Sequence, residues 1–105
     1  MTMYPKKFLA NGFRAGAKLL EDDNVGLCKN VYFNGENKFC AIGACRAAVN
    51  GSPLNLGEGP KFPYVSELAH FNDLASTTKE DVIKRLRQKA RELEHGGSVV
   101  VGSPD

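Results

Sequence analysis

The sequence predicts an all-α or nearly all-α domain, a compact bundle of about four helices with a short β-ribbon near residues 31–40. Three observations predict it. Apolar residues recur at three- and four-residue steps in two long segments, strand-like composition is confined to one short stretch, and proline, glycine and asparagine punctuate what lies between. A chain of 105 residues, 42% hydrophobic and 25% charged, has room for one core and not two. That domain is placed at residues 1–97, with 98–105 as a short C-terminal tail whose Val99-Val100-Val101 has edge-strand character. Tryptophan is absent, so Phe8, Phe13, Phe33, Phe39, Phe62 and Phe71 supply the aromatic volume of the core.

The first helix is expected at residues 5–21. Pro5 suits an early helical position because its missing N–H is not needed there, and Leu9, Phe13, Ala17 and Leu20 form one apolar stripe. Gly12 and Gly16 make a G-x-x-x-G spacing, which in a soluble helix admits a closely packed neighbour. The run from Glu21 to Asn24 ends the helix with charges that oppose its macrodipole. Val31-Tyr32-Phe33 and Lys38-Phe39-Cys40, joined across Asn34-Gly35, read as a small hairpin. A second helix starts close to Phe39 or Cys40 and runs to Val49, stopped by Asn50-Gly51. Its small residues suit a tightly packed position, with Gly43 and Ala44 at a close helix–helix contact. Residues 52–63 form a proline- and glycine-rich loop, and a short helix follows at 64–70. Thr77-Thr78 with Glu80-Asp81 is a capping-box start for the last helix, residues 78–94. There Val82, Ile83, Leu86, Ala90 and Leu93 share one face.

Two segments carry a resemblance. FCAIGACRAA, residues 39–48, is similar to the C-x-x-G-A helix of an uncharacterised family of small bacterial and phage proteins, a domain of unknown function. FNDLASTTKEDVIKRLRQKA, residues 71–90, resembles the same family's aromatic-Asn-Asp motif, threonine-capped start and amphipathic helix. Residues 12–20 are similar to its opening helix, and Gly26-Leu27-Cys28-Lys29 takes the place of a short aromatic-containing motif. Leu27 and Phe71 stand where the family pattern has tryptophan, and the 52–63 loop has no counterpart. The resemblance implies a shared helical fold and no particular activity.

Composition excludes several function classes. A net charge of +2 is too mild for a dedicated nucleic-acid binder. Neither a signal-type h-region nor a membrane-spanning run is present, so a cytoplasmic protein is expected, in the host cytoplasm if phage-encoded. Three cysteines cannot all pair within one chain and read as free thiols. Gly57-Glu58-Gly59 lacks the lysine and the strand–helix setting of a phosphate loop, so no cofactor is expected.

The candidate sites follow from residue type. Cys40 at a helix N-terminus, with His70 as base and Asn72 or Asp73 to orient it, would satisfy the Cys-His-Asn logic of a cysteine hydrolase. Against it, Phe39, Ala41 and Ile42 surround Cys40 with apolar residues, where a thiol is a small hydrophobe. Cys28, Cys40, Cys45 and His70 include no C-x2-4-C pair, and on one helix Cys40 and Cys45 stand about 140° apart, so no metal is expected. Asn72 and Asp73 are either a polar hook for a partner or, the better reading, acceptors for orphan N–H groups that tie the 64–70 helix to the start of the last one. Lys84, Arg87 and Arg91 could meet phosphates, but Glu80 and Asp81 sit one turn before Lys84 and Arg85, which describes a solvated, ion-paired face. The favoured reading is a small non-enzymatic accessory protein that binds and modulates another protein. Phe62 and Tyr64 of the loop region, with Asn72 and Asp73, are its expected contact residues, and self-association is a natural supplement to a small core. The alternatives are the Cys40–His70 hydrolase and a weak nucleic-acid binder.

Overall fold

The computed structural model describes residues 5–51 and 62–95, which form α1 (Lys6–Glu21), β1 (Gly26–Leu27), β2 (Lys38–Phe39), α2 (Ala41–Asn50), α3 (Val65–Asp73) and α4 (Lys79–Glu94). Most of the 52–63 loop and the whole 98–105 tail lie outside the described residues. The fold is mainly helical, with a small ribbon between α1 and α2.

Helix α1 is the hub, lying against both α4 and α2. Its stripe of Ala10, Phe13, Ala17 and Leu20 is fully buried, and Val82, Leu86, Ala90 and Leu93 of α4 complete the same core. The two helices run antiparallel, and polar contacts along their length mark it. Arg14 forms a two-pronged pair with Glu94 at 2.6 and 2.8 Å. Seven residues on in α1 and seven back in α4, Glu21 meets Arg87 at 2.7 Å. Lys79 Nζ then donates to the carbonyls of Asp22 at 3.3 Å and Val25 at 2.6 Å. The acidic ending of α1 is thus answered by cations from α4, as the macrodipole requires.

The G-x-x-x-G spacing does admit close neighbours. A Cβ at Gly16 would stand 2.5 Å from Cys45 Sγ of α2, and one at Gly12 would stand 2.5 Å from the Phe62 ring. Gly43 is different from expectation. A Cβ there would collide with the carbonyl oxygen of Tyr32, so the close approach is to the ribbon backbone and not to a helix.

Three further local expectations, on Pro5, α3 and the hairpin, are corrected, while α2 starts and stops close to its expected bounds. Pro5 is extended (φ −62°, ψ 151°) and precedes α1 as its N-cap. Helix α2 begins at Ala41, one residue after Cys40, and ends with Gly51 at φ 79°, the left-handed stop that Asn50-Gly51 announces. Helix α3 continues three residues past His70, because Lys29 serves its C-terminal carbonyls from outside. The hairpin shrinks to one antiparallel bridge, Phe33 with Phe39, while the other edge of β2 takes β1 in parallel, Gly26 beside Lys38 and Leu27 beside Phe39. The capping box forms as read, with Thr78 and Asp81 exchanging side-chain-to-backbone bonds at 3.1 and 3.0 Å.

Candidate binding cleft beside Cys40

The ribbon ends where three elements meet: the 28–33 segment, the start of α2 and the end of α3. Asn72, fully buried in the last turn of α3, holds the junction. Its Oδ1 accepts from the Ala41 N–H at 2.9 Å and its Nδ2 donates to the Cys28 carbonyl at 3.0 Å. In a parallel ladder those two backbone groups would form the next direct rung after Cys28 N–H to Phe39 C=O. A side-chain carboxamide bridges that rung instead. Nδ2 also lies 3.0 Å from Asp73 Oδ1, which in turn accepts the Asn30 N–H at 2.8 Å. Lys29 then folds over the C-terminus of α3, its ammonium donating to the carbonyls of Asn72 at 2.7 Å, Leu74 at 2.5 Å and Thr77 at 3.0 Å. A cation on carbonyls at and just beyond a helix C-terminus is favoured by both charge and hydrogen bonding.

This junction frames a cleft of about 250 Å³ lined by Asn30, Val31, Tyr32, Cys40, Ala69 and Asp73. Val31 and Tyr32 of its lining continue into Phe33 as an apolar strip, 51%, 40% and 36% exposed in succession. Tyr32 is stiffened by Arg46, whose guanidinium carbon lies 4.6 Å from the ring centroid, and Phe33 by Phe39 at 4.8 Å between ring centres.

Cys40 caps α2, its sulfur accepting from the Gly43 N–H at 3.3 Å. Burial nevertheless pushes its thiol above the ordinary value, and the helix-end N–H groups only oppose this. The helix terminus that would favour a thiolate does not win here, because desolvation of a buried thiolate outweighs it. Burial drives Cys45 up much further, while Cys28 rises through burial and then the neighbouring Cys40. The charged neighbours that act on Cys40 are Asp73 and Arg46, not His70, which is exposed on α3. The structure does not assemble a Cys40–His70–Asn72 set, since Asn72 is committed to backbone groups. Among the described residues no three His, Cys, Asp or Glu side chains converge as metal ligands.

The other expected residues separate in the same way. Asn72 and Asp73 do bind backbone, but that of residues 28–30 and 41 and not the start of α4, because α3 is longer than expected. Phe62 is buried against Phe13 with ring centres 5.2 Å apart, and Tyr64 is half-buried under Lys89, so neither is an open contact residue. On α4, Arg87 is held by Glu21, and Arg85 pairs with Glu67 at 3.8 Å over the Phe71 ring, where a bond to Asp81 was expected. Lys84 and Arg91 are exposed. The basic face is thus partly spent on holding α1 and α3. Sequence reasoning missed Lys29 and the 31–33 strip. The strip had a signal: three consecutive large apolar residues in a strand cannot all face one core.

No family model, no curated protein and no solved structure matches the chain. Among the described residues no helix is long and apolar enough to cross a membrane.

Proposed function

We propose that this chain is a small non-enzymatic accessory protein, of the phage or bacterial kind its motifs resemble, which binds another protein through the cleft and the strip beside it. The observation that carries the reading is the exposure of Val31, Tyr32 and Phe33 in succession on a segment pinned by Lys29 and Asn30. Contiguous exposed apolar residues on a fixed backbone favour binding, because little conformational entropy remains to be lost on association. Tyr32 suits such a role, with a large ring and a polar tip. The buried, raised Cys40 thiol weighs against the hydrolase reading, and the ion-paired arginines of α4 weigh against nucleic acid.

The test is capture on the immobilised full chain from a bacterial lysate, repeated with Val31→Asp. A partner identified with the parent chain and lost with the variant, at unchanged melting temperature, is the expected result. Retention by Val31→Asp together with loss on Lys84→Glu would move the binding surface to α4 and overturn the assignment.

A further inference from the structure

The parallel register sets Gly26 beside Lys38 and Leu27 beside Phe39, so the next step along both segments sets Cys28 beside Cys40. The ladder is half made at that step: the Cys28 N–H donates to the Phe39 carbonyl at 3.0 Å, while the Ala41 N–H and the Cys28 carbonyl are joined through the Asn72 carboxamide. Register partners in a parallel pair project from the same face, and neighbouring strands lie ~4.8 Å apart. A disulfide takes a Cα separation of ~4.4–6.8 Å, so the two positions are spaced for one. Both cysteines are free thiols here, and Cys28 is half-buried, with its sulfur 3.4 Å from the carbonyls of both Val31 and Lys38. Cys45 is set apart, fully buried and packed against Gly16 of α1. The odd cysteine count thus divides into a neighbouring pair and a core residue.

We propose that Cys28 and Cys40 are a reversible redox pair that closes to a disulfide on reaction with a small-molecule disulfide such as oxidised glutathione. Cys28, the more exposed, reacts first. Its thiolate attacks one sulfur of the small disulfide, whose S–S bond breaks and releases one thiolate, leaving Cys28 in a mixed disulfide. The Cys40 thiolate then attacks the Cys28 sulfur and expels the second small thiol. The two protons lost by the protein thiols end on the two released thiols, so the protein gives up two electrons and the small disulfide gains them. Both thiols are raised by burial, so exchange is slow near neutrality and quickens as rising pH populates the thiolates. Closure would lock both ends of the segment that carries Val31, Tyr32 and Phe33, and would take the Cys40 sulfur from the Gly43 N–H.

The experiment is incubation of the folded full chain with excess oxidised glutathione in mildly alkaline buffer, followed by acid quench, alkylation and peptide mapping by mass spectrometry. The expected product has lost two hydrogens, contains a Cys28–Cys40 linked peptide and leaves Cys45 alkylated only after denaturation. Cys40→Ser, which keeps an N-capping oxygen, should stop at the glutathione adduct on Cys28. A persistent adduct on the parent chain, a link that includes Cys45, a dimer joined through Cys28, or three unreacted thiols would each overturn the pairing.

Discussion

At the residue scale, Asn72 illustrates how one buried carboxamide replaces a piece of backbone. Its two ends match an N–H and a carbonyl from segments 31 and 44 residues away in the chain. Asn72→Ala should strand both of those groups, at a loss of roughly 1–3 kcal/mol for each one left unpaired. Chemical denaturation reads this directly, and a variant as stable as the parent would show that water takes over the rung. Asp73→Ala loses the exposed end of the same network, the bonds from the Asn30 N–H and from Asn72 Nδ2, and should cost less, about 0.5–2 kcal/mol, because Asn72 keeps its two backbone partners. Gly43 is the second decisive residue. Because the obstacle is the Tyr32 carbonyl and not a side chain tip, Gly43→Leu should destabilise by roughly 1–3 kcal/mol or more. It should also displace the 31–33 strip, seen as altered amide shifts at those residues. Melting at the parent temperature would place that face in open space.

At the element scale, α4 is held at both ends by ionised carboxylates. Bonds from the backbone and hydroxyl of Thr78 hold Asp81 below the usual carboxylate range, and the Arg14 guanidinium does the same for Glu94. A lowered folded value means the stabilisation is present above the unfolded carboxylate value of ~4 and is lost as pH falls through the lowered ones. Melting temperature should therefore fall in acid, and Thr78→Ala should flatten part of that fall while removing about 1 kcal/mol at neutral pH. Lys89 acts at the other extreme. Burial by itself would lower its ammonium, but the bonds to Glu67 at 2.6 Å and Glu92 at 3.2 Å win and the value is raised. That contribution is complete below the unfolded lysine value of ~10.4 and is lost as pH rises through the raised one. Lys89→Met should abolish the alkaline part of the melting profile and leave the acid part intact.

At the scale of the whole molecule, α1 and α4 make the most extensive helix contact, and α2 packs against α1 as well. Phe13 sits at the centre, fully buried and against both Phe62 and Tyr64. Phe13→Ala should remove about 3–5 kcal/mol, a large part of the ~5–10 kcal/mol a domain of this size holds. Calorimetry would read this as a collapse of cooperative melting, and a sharp transition near the parent temperature would show that the core repacks. The Arg14–Glu94 bridge is exposed and sets the antiparallel alignment more than it sets stability.

The sequence by itself determined the helices, because stripes such as Ala10, Phe13, Ala17 and Leu20 and signals such as Thr78 or Gly51 act within a turn or two of chain. It also marked Cys40 and Asn72 as residues apart from the apolar pattern. What each one does was decided only by the tertiary structure. A polar side chain states what it can bond to but not which distant backbone group will be offered. Lys29 therefore reads as one more surface charge until the end of α3 and the turn after it present three carbonyls to it. The same holds for the parallel pairing of β1 with β2, which no turn encodes, and for Phe62, which is buried only because Gly12 leaves space for its ring. Periodicity reports contacts between near neighbours in the chain, whereas the cleft is made where residues 28–33, 40 and 69–73 come together, and only packing of the whole core brings them there.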